Sequence, residues 1–529
     1  MYEQSRATAP EEPSAAGPVR SAPSGVMGWV ALVALAAAPG AAAQEPAGLS
    51  LQRAVEATLV QSPSIQVGRL RAEGASGARI AASAPFDTQL RLAADDSYQK
   101  EPTIGEGGII PGAAVSAHRT AYTLGASRLL RSGIQVQPEV AVTRTADRSL
   151  TPVPSSAASV RLRFTMPLAR DRWGSISAAP ERTAEITHRS LREELRYVTA
   201  AGVLETVRAY WSYLAAQQEL EVYRNSEERA ERLTGEMEQL VKADERPASD
   251  LNQLQATAAI RRRNRIAAEQ RVVEARRELG ISIGVEGEAI HLLPPATTPF
   301  PAAAPWEPGP AEVDRLVERA LAHRADLASR AHRVQAAGVL SAAARGSRRP
   351  RLDLSTTVGY NGLASAGDAR GFVAPLYQHV PGPIATVALE YRLPVANAEA
   401  QGLFVQRRAL EDEERVAAAD LARRITSGVR ASAEALRREA QGVAESSRAV
   451  ELYRTAVDNE HTKYRLGAAT LLDVILAEGG LNEARLGEVS ARFRYAVAVA
   501  TLRFETGSLA EMDREGRTVV PPGSLITPP

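Results

Sequence analysis

The sequence predicts an α+β membrane protein in which long antiparallel α-helices are continuous with a transmembrane β-barrel, the whole arising from an internal two-fold duplication. Three observations predict it. Two very long helical patterns, 180–241 and 398–465, each follow a group of strands. Those strands alternate apolar and polar residues over about ten positions, the signature of lipid-facing barrel strands. The same order of elements then occurs twice along the chain.

Composition narrows the field first. The chain has 529 residues, 63 Lys plus Arg against 62 Asp plus Glu, seven His and no Cys. A net charge of +1 argues against nucleic-acid binding through bulk charge. The absence of Cys removes disulfides, thiol catalysis, Cys-zinc sites, iron–sulfur ligation and a lipid-bearing N-terminal cysteine. Aromatic residues make up only 5%, beside abundant Ala, a balance suited to thin, closely packed helices. No HExxH, P-loop or GxSxG pattern occurs and the His residues are scattered, so no enzyme, cofactor or metal site is expected. Asp95-Asp96, near a strand end, could hold a divalent ion, though a solvated loop edge is the simpler expectation.

The elements follow in order. The short apolar run 26–38, followed by Ala41-Ala42-Ala43 before Gln44, reads as an export signal over 1–43. No later run is apolar enough for a transmembrane helix, so a membrane-spanning region must be a barrel. A first repeat over 44–284 reads as helix 51–84, strands within 87–168, long helix 180–241, a turn near Arg246-Pro247 and helix 248–279. The segment 285–310 is a linker too rich in Pro for helix. A second repeat over 311–507 reads as helix 311–345, strands 352–360 and 384–395, long helix 398–465, a turn at Leu466-Gly467 and helix 470–505. The tail 508–529 is expected to be disordered.

Matching positions carry the duplication. Arg53-Ala54-Val55-Glu56 answers to Arg315-Leu316-Val317-Glu318, and Asp250…Gly284 to Asp473…Gly507. The offset shrinks along the chain, so the first half holds extra residues before Pro167. These contain a further alternating pair at about 118–145, with a turn at Ser132-Gly133. That hairpin would raise four strands to six, either widening the barrel or folding outside it. At 1.5 Å per residue each long helix reaches ~93–100 Å and each flanking helix ~50–55 Å, so two short helices end to end match one long one. The Glu-rich run near Glu227–Arg232 and the Arg-rich run near Arg261–Arg265 read as solvated faces with i,i+4 pairs.

The strands set Val160, Leu162, Phe164, Met166 and Leu168 against Arg161, Arg163 and Thr165, and Val387, Leu389, Tyr391 and Leu393 against Ala388, Glu390 and Arg392. Apolar side chains would face lipid and the polar ones a lumen.

With these parts in order, the chain resembles the TolC-like outer-membrane efflux proteins. The resemblance is carried by the duplication, by Met166-Pro167-Leu168 and Leu393-Pro394 at strand ends, and by the run from Tyr464 through Leu466-Gly467-Ala468 to Asp473-Val474. It implies a homotrimer with one composite β-barrel in the outer membrane and a periplasmic α-helical barrel that tapers shut. It further implies the exit duct of a tripartite efflux or type I secretion system. The partners would be a periplasmic adaptor (membrane fusion) protein, an inner-membrane transporter of the RND, ABC or MFS type, and outer-membrane lipid. Leu466, Gly467 and Ala468 match the adaptor-contacting tip; the first-half positions are Ala243-Asp244-Glu245, where the motif is lost. Asp473 and Asp250 match acidic residues at the closed aperture. Leu476 stands where the family carries a second Asp, which weakens any selectivity ring. Tyr464 and Asp250 match a polar link between helices, and closure is expected to rest on their hydrogen bond and apolar packing. The alternative is an exported, envelope-associated coiled-coil scaffold without a pore.

Overall fold

The computed structural model describes residues 48–105, 108–147, 155–245, 247–365, 373–377, 382–512 and 518–529. The expected export signal over 1–43 lies outside the described residues.

The helical part is organised by two long helices, α3 (Ala179–Lys242, 64 residues) and α7 (Ala398–Arg465, 68 residues). Each is flanked by shorter helices laid end to end. α1 (Leu51–Gln61) and α2 (Pro63–Ser83) pack on one half of α3, and α4 (Ala248–Ile283) on the other. α5 (Pro310–His323), α6 (Ala325–Ser347) and α8 (Leu471–Glu505) do the same along α7. α6 touches both long helices and ties the two sets together.

Both flanking helices expected as single stretches are broken. The first breaks at Ser62, whose extended backbone follows from the Pro63 ring crowding the preceding residue. The second breaks at Arg324 with φ −68° and ψ 121° and no proline nearby. There the side chain itself holds the break: the Arg324 guanidinium is only 8% exposed, bonds Asp326 through Nε at 3.0 Å and Nη2 at 2.9 Å, and reaches Glu505 at the end of α8.

The core sits midway along α3. Tyr210, Trp211 and Tyr213 are buried to the last atom, among Leu51, Val55, Val207, Leu279 and Ile283. At ~1.5–3 kcal/mol for each large side chain fully buried, this belt anchors the assembly of helices. The Pro-rich segment 293–309 is recruited to it without forming α-helix. The Tyr210 hydroxyl accepts from the backbone N–H of Thr297 (3.1 Å) and Thr298 (2.9 Å) and donates to the Leu49 carbonyl (2.9 Å). The Phe300 ring lies 5.5 Å from that of Trp211. The described residues of the tail, 508–512 and 518–529, also pack: Leu509 and Leu525 are buried in the same core and β7 (Glu511–Met512) pairs with β8 (Thr518–Val519). Its apolar residues fill space that the few aromatics leave open.

The Glu and Arg runs are largely exposed and include the i,i+4 pair Arg265–Glu269, but Glu227 departs from expectation. The two runs face one another across the α3–α4 hairpin: Glu227, buried, accepts from Arg262 at 3.3 Å and Arg265 at 2.5 Å, and Arg262 reaches Glu231 at 2.6 Å.

The strands form one antiparallel sheet in the order β1-β2-β3-β4-β5-β6. They are β1 (Gln89–Gly105), β2 (Gly108–Leu129), β3 (Gln135–Asp147), β4 (Ser155–Pro167), β5 (Arg351–Ser365) and β6 (Pro383–Arg392). The extra hairpin, β2–β3, lies between β1 and β4 and so widens the sheet. Its turn is closed by Leu130 N–H to Ile134 O at 2.8 Å, with Gly133 at φ 83°.

Candidate functional site

Two regions carry the geometry a duct would need: the sheet, and the helical turns at the opposite end of the long helices.

In the sheet, register makes an apolar face, interrupted on β2 by Arg128, which joins the Phe164 row through Val136. Leu92, Leu124, Val140, Val160 and Tyr360 stand in one row across five strands. Neighbouring rows hold Leu162, Val358 and Ala385, then Phe164, Thr356 and Val387. On β4 this face runs from Ala158 to Met166, the length of a strand that crosses a bilayer at a tilt. From the Val160 row towards the helices no described element covers it, with Leu92 80% exposed, Val387 72% and Leu389 63%; at its other end the short turn Ala374–Leu376 lies against β4 and β5, and Ala158 and Val142 are buried. The face ends in polar residues on the strand extensions, where Asp96 accepts from Thr120 at 2.8 Å and meets His118 at 3.0 Å. Asp95 alternates to the other face, so the two aspartates do not converge on one ion. Among the described residues there is no cluster of three or more His, Cys, Asp or Glu able to hold a metal. No described helix is long and apolar enough to cross a membrane.

At the other end, α3 turns into α4 and α7 into α8 through the same backbone motif. Glu245 N–H reaches Leu240 O (2.9 Å) and Asp244 N–H reaches Val241 O (3.1 Å). In the second turn Ala468 N–H reaches Lys463 O (2.8 Å) and Gly467 N–H reaches Tyr464 O (3.0 Å). Both are Schellman closures, which need a left-handed residue at the centre. Leu466 and Ala468 are exposed beside Gly467, which leaves this turn apolar and open to solvent, whereas the Ala243-Asp244-Glu245 turn is charged.

Asp473 and Asp250 both occupy the third position of their helices. The Asp473 carboxylate is engaged in a capping box: it accepts from the Thr470 hydroxyl (2.7 Å) and backbone N–H (2.8 Å), and its own N–H donates to the Thr470 hydroxyl (3.3 Å). Those bonds, the hydroxyl's first, hold its carboxyl below the ordinary range. Asp250 accepts from the Ser249 hydroxyl at 3.4 Å; among the described residues no hydrogen bond joins it to Tyr464 within the chain. Leu476 is 64% exposed on the first turns of α8.

Sequence reasoning missed what joins the two hairpins here. Met237 and Leu254 of the first pack with Leu471 of the second, with Tyr464 and Ile475 against them. Above them Arg229 of α3 donates from Nε to Glu478 of α8 at 2.7 Å, and Glu478 also meets His461 of α7 at 3.2 Å. Arg229, Glu478, His461, Leu254 and Ile475 line a cavity of about 630 Å³ between the hairpins. The available signal was weak: Glu478 stands between the apolar run Val474–Ala477 and Gly479-Gly480.

No protein-family model matches the chain, and neither does any curated protein. Solved structures do match. The CmeC outer-membrane channel of Campylobacter jejuni aligns over 87% of this chain and 85% of its own, at 13% identity and a TM-score of 0.63. The outer-membrane protein VceC of Vibrio cholerae aligns over 86% and 96%, at 18% identity and 0.60. CusC, described through its transmembrane channel formation, aligns over 86% and 92%, at 14% identity and 0.64. The chain has the fold of the TolC-like outer-membrane channels.

Proposed function

We propose that the chain is the outer-membrane duct of a tripartite efflux or type I secretion system, working as a homotrimer. The observation that carries it is the apolar face, uncovered by any described element from the Val160 row to Met166, on a sheet whose two outer strands have no partner among the described residues. In hydrocarbon, every unpaired backbone N–H or C=O costs several kcal/mol, so β1 and β6 must each find another strand. The number of strands is even, so β1 of one copy meets β6 of the next antiparallel. Six strands are too few to enclose even side chains, since about eight are needed for that. Three copies give eighteen, within the range of barrels that hold an aqueous channel. Trp173, 71% exposed just beyond β4, fits the interfacial anchor expected where sheet gives way to helix.

The helical end serves as the periplasmic aperture. Leu466, Gly467 and Ala468 offer a small apolar surface to an adaptor protein, which would couple the duct to an inner-membrane transporter. Asp250, Asp473, Tyr464 and Leu476 line the narrowing. Arg229–Glu478–His461 and the apolar cluster beneath it hold the two hairpins of each chain together when the aperture is closed. The two-fold duplication, with a first repeat over 44–284 and a second over 311–507, is supported by the matching turns and helix order.

The test is reconstitution of the purified full-length protein into planar lipid bilayers. A trimer that carries ion current supports the duct; a trimer that carries none favours the envelope scaffold.

A further inference from the structure

The reverse side of the sheet carries its charge unevenly. Arg161 and Arg163 flank Leu162, at the middle of the apolar stretch of β4, and point to the opposite face. Arg91 lies between Leu90 and Leu92 on β1 and shares a row with Glu139 and Arg161, through Gly125. The row of Arg163 continues through Gln137, Thr357 and Thr386 without another charge. Two adjacent rows thus hold three arginines against one glutamate.

At the helix end of the same face Arg351 pairs with Asp353 and Arg392 with Glu390. Arg91, Arg161 and Arg163 make no ion pair among the described residues, and all three are exposed. Facing lipid at mid-depth, each would cost ~2–4 kcal/mol. Facing a water-filled pore, each guanidinium keeps its hydration and its field is focused by low-dielectric walls.

We propose that Arg91, Arg161 and Arg163 form a positive belt inside the outer-membrane pore that selects for anionic solutes bearing phosphate or carboxylate groups. The proposal rests on the reading that the sheet closes around a lumen. Planar guanidinium forks hold such oxyanions through paired N–H···O bonds, and three copies repeat the belt around the pore. The acidic residues Asp250 and Asp473 at the far end have the opposite preference, so anion binding belongs to one side of the channel only.

The probe is inorganic tripolyphosphate, added in turn to each side of bilayers holding the full-length protein. Expected is a concentration-dependent block of wild-type current from one side. In Arg161→Gln/Arg163→Gln that block weakens by about tenfold or more, while Arg161→Lys/Arg163→Lys keeps most of it and Arg392→Gln leaves it unchanged. Wild-type current with no block from either side, which requires no variant to fold, overturns the belt alone. So does a block of equal strength in the glutamine variant. A wild-type trimer that carries no current overturns the duct and the belt together.

Discussion

Asp244 and Gly467 hold the same left-handed backbone position at the two helical turns, with φ of 61° and 73°. The first-half motif is lost as chemistry and kept as geometry. Asp can occupy this region because its short polar side chain bonds locally, while most residues with a Cβ pay ~1–2 kcal/mol there. Gly467→Val is therefore expected to destabilise the second turn by about that amount. Asp244→Gly should change stability by less than ~1 kcal/mol, since relief of strain offsets the added chain entropy. Thermal unfolding of the two variants in detergent checks the order; the larger loss in Asp244→Gly would refute it.

The break at Arg324 predicts a large, specific loss. Arg324→Ala leaves Asp326 and Glu505 without their buried cation, and breaking such a pair costs ~3–5 kcal/mol. Glu505→Gln retains the Asp326 bonds and should cost less. Unfolding midpoints measured side by side test this, and an Arg324→Ala variant as stable as wild type would remove the ion cluster as the cause of the break.

Tyr210 supports the Pro-rich segment through one oxygen. Tyr210→Phe strands the Thr298 N–H, at ~1–3 kcal/mol if it stays buried, while the Thr297 N–H and the Leu49 carbonyl still hold each other at 3.1 Å. Trp211→Ala opens a cavity in the same core, at ~3–5 kcal/mol. Limited proteolysis within 293–309 should accelerate in Tyr210→Phe before the helices themselves become susceptible.

Closure at the aperture is expected to depend on Glu478. Removing its charge in Glu478→Gln weakens the links to both Arg229 and His461, so single-channel conductance should rise above wild type. Leu254→Ala, which loosens the apolar cluster beneath, should act in the same direction. Unchanged conductance in both variants would show that the aperture is held elsewhere.

Asp473 gives a pH signature. Its carboxyl titrates below the ordinary value of 3.8 in the folded chain, so the unfolded chain binds the proton more readily. Its contribution to stability is fully present above that ordinary value and fades as pH falls through the lower folded value. The gap in unfolding temperature between wild type and Asp473→Asn should thus be widest near neutrality and shrink in acid. A gap that grows on acidification would contradict the capping-box assignment.

Much of this was legible in local sequence. α7 spans Ala398–Arg465 as expected because Pro394 before it and Leu466-Gly467 after it are strong start and stop signals. The alternation on β4 revealed both faces of the sheet, including Arg161 and Arg163. What escaped was set by partners distant along the chain. Arg324 is buried at its break with help from Glu505, 181 positions away, beside the local Asp326, and Glu227 is buried where Arg262 and Arg265 cross over from α4. Arg229 and Glu478, 249 positions apart, carry no local sign of each other. Leu509 and Leu525 lie in a segment that is polar and Pro-rich on average, and only the core they fill explains their order.

The chain's lack of cysteine allows the central claim to be tested by disulfide trapping. Cysteines introduced one at a time at positions 89–97 of β1, each combined with Ala388→Cys in β6, would be oxidised in outer-membrane preparations and run on non-reducing gels. Closure by three copies predicts a register-dependent set of positions that yields covalent trimers and nothing larger. Cross-links confined within single chains at every position, or a folded monomer that stays in water without detergent, would contradict it.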